Sequence, residues 1–264
     1  MTAEPLPRPE TVRFDNARGQ SLAGVLHRPA GEVRAHVVFV ACFTCSKDIP
    51  VAVRIARALA RHGFAALRFD LTGLGESGGS FTETDFESEV DDVLRAAAWL
   101  EANAEAPRLL IGHSLGGAAV LEAAARLPEV RAVTTIGTPA TLDHIAELLH
   151  GETEERLPDG ALVATIGGQR FTFATHFLDT LARHSPTQAA ARLGRAYLVM
   201  HAPHDSVVPY AQARMLFDAA AEPRAFVSLD DADHLLRRQA DVDYCVDLIS
   251  AWAARPLAAA RTRR

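Results

Sequence analysis

Apolar and polar positions along the chain follow two alternating rhythms. Residues 11–16 and 20–28 alternate as half-buried strands do, with Ala17-Arg18-Gly19 between them as a hairpin turn. The run 35–41 (AHVVFVA) is almost wholly apolar, the pattern of a strand covered on both faces. Over residues 48–62, Ile49, Val53, Ile55, Ala56, Leu59 and Ala60 form a helical stripe that Gly63 closes. The run 64–69 reads as the next strand. Residues 85–105 read as a long helix, with Phe86, Val90, Val93, Leu94, Ala97 and Leu100 on one face. Runs 108–111, 130–136, 196–200 and 224–229 predict further strands, and 118–127, 209–221 and 240–254 predict helices.

An antiparallel start followed by alternating strands and helices implies an α/β fold with a mostly parallel, doubly wound sheet. Ligands in such sheets bind at the carboxyl ends of the strands. Residues 139–195 interrupt the alternation. They hold a helical piece over 142–149, an acidic turn over 151–155, and a hairpin of 162–166 and 170–175 about Gly167-Gly168. Phe177, Leu178 and Leu181 follow. This stretch is expected to be a small lid inserted in a single domain spanning residues 1–264. The alternative is a structural excursion that never meets substrate.

The remaining bulk properties narrow the field. A length of 264 residues, 48% hydrophobic and 23% charged, is ordinary globular composition. A net charge of -6 offers no basic face for nucleic acid. No apolar run approaches a membrane span, and the N-terminus lacks the apolar core of a signal peptide. A cytoplasmic location is the expectation. Three cysteines make no disulfide framework. The basic end, 259–264, reads as a solvated tail.

Chemistry concentrates in Ile111-Gly112-His113-Ser114-Leu115-Gly116-Gly117. It fits the G-x-S-x-G elbow, in which a strained strand-to-helix turn lifts a serine hydroxyl above the sheet. A serine attacks well only when a base removes its proton, and the base needs an orienting carboxylate. After an elbow the acid and then the histidine follow along the chain. Asp205 lies just past the 196–200 strand, and His234 just past the last strand. Ser114, Asp205 and His234 are therefore the expected catalytic residues. Asp230, Asp231 and Asp233 lie beside His234, but the acid should come from a separate loop. His201 and His204 compete as base, yet they precede or abut Asp205. His113 belongs to the elbow. The oxyanion needs two backbone N–H donors. Leu115 is one candidate and Phe43, in the loop after the 35–41 strand, is the other.

Three further patterns carry alternative readings. Gly73-Leu74-Gly75-Glu76-Ser77-Gly78 matches G-x-G-x-x-G, but residues 79–84 delay the helix and the strand is not the first, so a loop bordering the active site is preferred over a nucleotide site. His201, His204, Asp205, Asp233 and His234 match no common zinc spacing, so no metal is expected. Cys42-x-x-Cys45 reads either as two small buried residues shaping the oxyanion loop or as a redox pair whose disulfide or sulfenate distorts it. Cys245 reads as packing.

Elbow and residue order resemble the α/β-hydrolase superfamily over nearly the whole chain. Ala41-Cys42-Phe43-Thr44-Cys45-Ser46-Lys47-Asp48 is similar to the His-Gly-Phe-Thr-Gly oxyanion loop of its carboxylesterase and feruloyl-esterase branch. This loop and Asp70-Leu71-Thr72-Gly73-Leu74-Gly75-Glu76-Ser77 also resemble bacterial hydrolases often fused to an OsmC-like domain. Ala41 stands where a histidine is usual, and residues 253–264 are not expected to begin an OsmC-like domain. The partners left open are a separate OsmC-like protein and a second copy of the chain. The implied function is a cofactor-free serine esterase acting through an acyl-enzyme on small to medium acyl or aryl esters. Phe171, Phe173, Phe177 and Leu178 would line the substrate pocket, some of them serving as the lid's own core. Thioester hydrolysis or acyl transfer to an alcohol or peroxide is the alternative on the same residues. A non-catalytic redox-sensing module using Cys42 and Cys45 is the alternative of another class.

Overall fold

The structure, a computed structural model, describes residues 5–143, 145, 149, 151–166 and 168–258. Part of the expected 142–149 helix, Gly167 of the expected turn and the basic tail 259–264 lie outside the described residues.

Eight strands form one sheet in the order β1-β2-β4-β3-β5-β6-β10-β11. They are β1 (Glu10–Asp15), β2 (Ser21–His27), β3 (Ala35–Val40), β4 (Phe64–Phe69), β5 (Leu109–His113), β6 (Ala132–Ile136), β10 (Ala196–His201) and β11 (Arg224–Ser228). The pairs β1·β2 and β2·β4 are antiparallel. All pairings from β4 onward across the sheet are parallel. The early hairpin and the later α/β alternation are thus where the hydrophobic rhythm put them.

The helices follow from local chemistry. Helix α1 (Pro50–Arg61) opens on proline, whose missing N–H is no loss in a first turn, and Gly63 at φ +87° takes the chain out. Helix α2 (Phe86–Asn103) starts at a reciprocal cap. The Asp85 carboxylate accepts from the Ser88 amide at 2.7 Å, and the Ser88 hydroxyl accepts from the Asp85 amide at 2.9 Å. Helix α3 (Leu115–Ala124) follows the elbow and is buried along nearly its whole length.

Every residue of β3, β4 and β5 is buried. Alternate residues feed two cores. Val38, Val40, Leu110 and Val133 pack with α2 and α3 on one face. Val37, Phe39, Leu109 and Ile111 pack with α1 and the last helix, α7 (Gln239–Ala258), on the other. Each buried Val or Leu contributes about 1.5–3 kcal/mol. These strands, apolar on both faces apart from Arg68 of β4, are therefore sheet-centre strands by necessity.

Between β6 and β10 the chain builds a three-stranded sheet, β7 (Thr153–Arg156), β8 (Leu162–Ile166) and β9 (Gln169–Phe173). Helices α4 (Thr175–Leu181) and α5 (Pro186–Arg192) follow, and α6 (Tyr210–Ala219) lies between β10 and β11. The expected hairpin is β8·β9. The acidic segment expected as a turn is instead edge strand β7, antiparallel to β8. Its charges gave no apolar alternation to read, because three of its four side chains face solvent and Glu155 pairs with Arg170 at 2.8 Å. Among the described residues, no helix is long and apolar enough to cross a membrane.

Candidate active site

The sheet order places a crevice where chain direction reverses. From β3 the chain moves to β4 on one side, and from β5 it moves to β6 on the other. The carboxyl ends of adjacent β3 and β5 therefore open on a shared space. Residues 41–43 leave β3 there, and Ser114 leaves β5.

Ser114 sits at φ 55°, ψ -130°, a region that side-chain-bearing residues avoid at a cost of about 1–3 kcal/mol. Three glycines make the turn feasible. A Cβ on Gly112 would strike the Gly116 carbonyl and Gly117 Cα. One on Gly116 would strike the Ala41 carbonyl, and one on Gly117 would strike the Thr138 hydroxyl. That hydroxyl donates to the Ser114 carbonyl at 3.0 Å, and the Ser114 amide donates to Ile136 at 2.9 Å. Packing on both flanks thus holds the strained serine. As the first residue of α3, Leu115 has an N–H without an intrahelical acceptor, aimed with the helix N-terminus.

Asp205 and His234 meet across two loops. The Asp205 side chain is 1% exposed, and its Oδ2 accepts from His234 Nδ1 at 2.7 Å. Its Oδ1 accepts from the Val207 and Val208 amides at 2.8 and 2.9 Å. Burial alone would raise its pKa, but the His234 hydrogen bond and charge, with the two amides, bring it below the usual carboxylate value. An ionised Asp205 fixes the proton on Nδ1 of His234 and leaves Nε2 as the basic nitrogen. Both side chains lie against Gly137, where a Cβ would come within 3.2 Å of His234 Nδ1. Gly137 directly follows Ile136, the residue that anchors the Ser114 amide. His201 is fully buried at the end of β10, whereas His204 is exposed.

The β3 exit loop is more tightly built than its sequence implied. Phe43 is buried, with its ring stacked on Phe177 (5.8 Å between centroids) and tilted against Phe173 (5.9 Å). Phe81 closes the cluster against Phe171 and Phe173. Of the four residues expected to line the pocket, Phe173 and Phe177 are fully buried in this aromatic core; Phe171 is 9% exposed and Leu178 half-buried. Cys42 and Cys45 are bonded to each other across a turn, with Cα atoms 5.1 Å apart.

Beneath the loop lies a charge network that the sequence reading missed. Lys47 Nζ reaches Asp48, Asp70 and Glu76 at 2.9, 3.0 and 2.7 Å. The Arg68 guanidinium donates to the Lys47 carbonyl at 2.6 Å and to Asp48 at 2.7 Å. Burial opposes the Lys47 charge, but bonds to Glu76, Asp48 and Asp70 outweigh it and raise the pKa. The glycine-rich 73–78 loop wraps this network. Gly75, at φ +52°, lies so close to the Asp70 carboxylate that a Cβ there would overlap it. The available signal was a charged residue past each of two mostly apolar strands, Lys47 after β3 and Asp70 after β4, with Arg68 inside β4 itself.

A sequence profile described as "alpha/beta hydrolase fold" matches residues 35–164. The esterase domain of a Rhodothermus marinus protein is 40% identical and superposes with a TM-score of 0.78, over 94% of this chain and 99% of that one. The chain belongs to the α/β-hydrolase family. Est1E from Butyrivibrio proteoclasticus, solved with ferulic acid, shares the fold at 18% identity and a TM-score of 0.80, over 94% of this chain and 100% of its own. The rat palmitoyl-protein thioesterase ABHD10, named as mitochondrial, is 25% identical over 214 residues, 78% of this chain and 71% of its own. The family resemblance seen in the sequence therefore holds, and the chain is an α/β-family hydrolase with esterase, thioesterase and lipase relatives.

Proposed function

We propose that this hydrolase is a serine esterase that cleaves small to medium acyl or aryl esters through an acyl-enzyme on Ser114. The observation that carries the reading is the 2.7 Å bond from His234 to buried Asp205, packed on Gly137, whose neighbour Ile136 anchors the amide of Ser114 at positive φ. Asp205 holds the imidazole so that Nε2 takes the Ser114 proton as Oγ bonds to the ester carbonyl carbon. The carbonyl oxygen becomes an oxyanion, received by the Phe43 and Leu115 amides. Such a donor contributes about 3 kcal/mol to the transition state. The imidazolium then protonates the departing alkoxide as the C–O bond breaks. Water, deprotonated by the same nitrogen, releases the acid and restores Ser114.

The aromatic core around Phe43 supports a modest acyl size: Phe173 and Phe177 are fully buried and packed against Phe43 of the oxyanion loop. Similarity to ABHD10 supports thioesters as the second substrate class, since one serine mechanism serves both. A series of p-nitrophenyl esters from acetate to palmitate, run beside acyl thioesters of equal length, tests the reading. Maximal kcat/KM at short or aryl acyl groups is expected. A maximum at palmitate contradicts the acyl-size claim, and no turnover of any ester contradicts the function.

A further inference from the structure

Two fully buried histidines at the edge of the proposed site take no part in that mechanism. His113 ends β5 and His201 ends β10, the strands that lead to Ser114 and Asp205. His113 Nε2 donates to the His234 carbonyl at 2.7 Å. His201 Nε2 donates to the Val208 carbonyl at 2.9 Å. Val208 in turn donates its amide to Asp205 Oδ1, and His201 Nε2 lies 3.5 Å from Asp205 Oδ2. Each strand-end imidazole is therefore fastened to the backbone of a loop carrying one member of the Asp205–His234 pair.

We propose that His113 and His201 are positioning residues, paired struts that set the His234 and Asp205 loops so that Nδ1 and Oδ2 meet. The inference rests on the Asp205–His234 reading of the site, but its geometry is independent of any substrate. Because a carbonyl only accepts, Nε2 must carry the proton in both rings. Nδ1 of each ring has no hydrogen-bond partner among the described residues. A second proton there would be a buried N–H without an acceptor, which burial strongly disfavours. The rings therefore stay neutral. Burial foremost, with the His234 charge, lowers the His113 pKa to about 3, and burial lowers that of His201. A neutral strut matters here, because the His113 and His234 rings are 5.0 Å apart and His234 becomes cationic during turnover. A histidine that only filled space could satisfy its N–H on any acceptor; both of these satisfy it on a loop that carries a member of the Asp205–His234 pair.

Glutamine and asparagine separate positioning from packing. A glutamine amide nitrogen falls close to the imidazole Nε2 position and keeps the donor. The shorter asparagine does not reach it. The low-field proton NMR resonance of His234 Nδ1–H in the full chain reads the Asp205–His234 bond without any substrate. It is expected in wild type, H113Q and H201Q, and broadened or lost in H113N and H201N. Phosphonylation of Ser114 by a fluorophosphonate, per folded molecule, should fall at least tenfold in the asparagine variants and less than threefold in the glutamine variants, with KM for an acetyl ester within twofold of wild type. Equal behaviour of the Asn and Gln variants overturns the proposal, whether both keep or both lose the resonance. Wild-type protein that shows the expected resonance pattern but no phosphonylation sinks the esterase reading and leaves the struts standing.

Discussion

The Lys47 ammonium lies 3.0 Å from the Asp70 carboxylate, with the two side chains 2% and 0% exposed. Asp70 Oδ1 also accepts from the Lys47 amide, and its Oδ2 from the Glu76 amide at 2.9 Å. The pair thus joins the loop after β3, which carries Phe43, to the loop after β4. A buried charge broken from its partner destabilises by about 3–5 kcal/mol. Lys47→Met keeps the aliphatic stem and removes the charge. It should destabilise the protein by about 3 kcal/mol, the lower end, because two amides still serve Asp70. In folded K47M, kcat on a short ester should fall more than KM rises. Urea unfolding and steady-state kinetics check both.

Asp205 holds the His234 tautomer through one charge-assisted bond. Asp205→Asn preserves shape but offers an amide that leaves the proton on Nε2 of His234, the nitrogen that must be bare. A loss in kcat of about 10⁴-fold is expected, with substrate binding little changed. A loss below tenfold would remove Asp205 from the mechanism.

The Cys42–Cys45 bond closes a very short loop. The chain-entropy account assigns such a loop at most about 2 kcal/mol. The turn is independently held by the Cys45 amide donating to the Cys42 carbonyl at 2.9 Å, by Phe43 stacking and by Lys47. Reduction with dithiothreitol should therefore add 2 Da to the intact mass and lower ester turnover less than K47M does. Full loss on reduction would make the disulfide the main brace of the loop and favour the redox reading.

Asp92 sits under the 72–78 loop, accepting from the Thr72 amide at 2.7 Å and the Thr72 hydroxyl at 3.0 Å. Burial outweighs those bonds and raises its pKa to about 6. A carboxyl with a raised folded pKa holds its proton longer in the native state. Stability from this group is therefore lost as pH rises from about 4 to about 6. Neighbouring Glu89, fully buried and also raised, acts in the same direction. Asp92→Asn should gain on wild type across that window, by about 2–3 kcal/mol between pH 4 and pH 7. His27, lowered to about 4 by burial and then by Arg68, titrates oppositely, but is common to both proteins and cancels in the difference. Paired thermal melts at the two pH values test the sign.

Much of this was legible in the sequence because the sheet is buried on both faces. The runs AHVVFVA and FAALRF have no other stable home, and strand alternation with amphipathic helices such as Ile55–Leu59 fixes the winding. The elbow was legible because Gly112, Gly116 and Gly117 each face backbone or a hydroxyl within van der Waals contact, so side chains are excluded. Strand β7 was not legible, since a charged edge strand is defined by its partner rather than by its own pattern. Nor were the bonds of Lys47, His113 and His201. The bonds of Lys47 to Asp70 and of His113 to the His234 carbonyl join residues far apart along the chain, and that of His201 to Val208 exists only through the course of the intervening loop, so spacing along one segment carries no record of them.

Intact mass after incubation with a fluorophosphonate, on wild type and Ser114→Ala, tests the central claim most directly. The account predicts a single adduct on wild type and none on the variant. An unmodified wild-type protein that remains folded, or an adduct that persists in S114A, would contradict it.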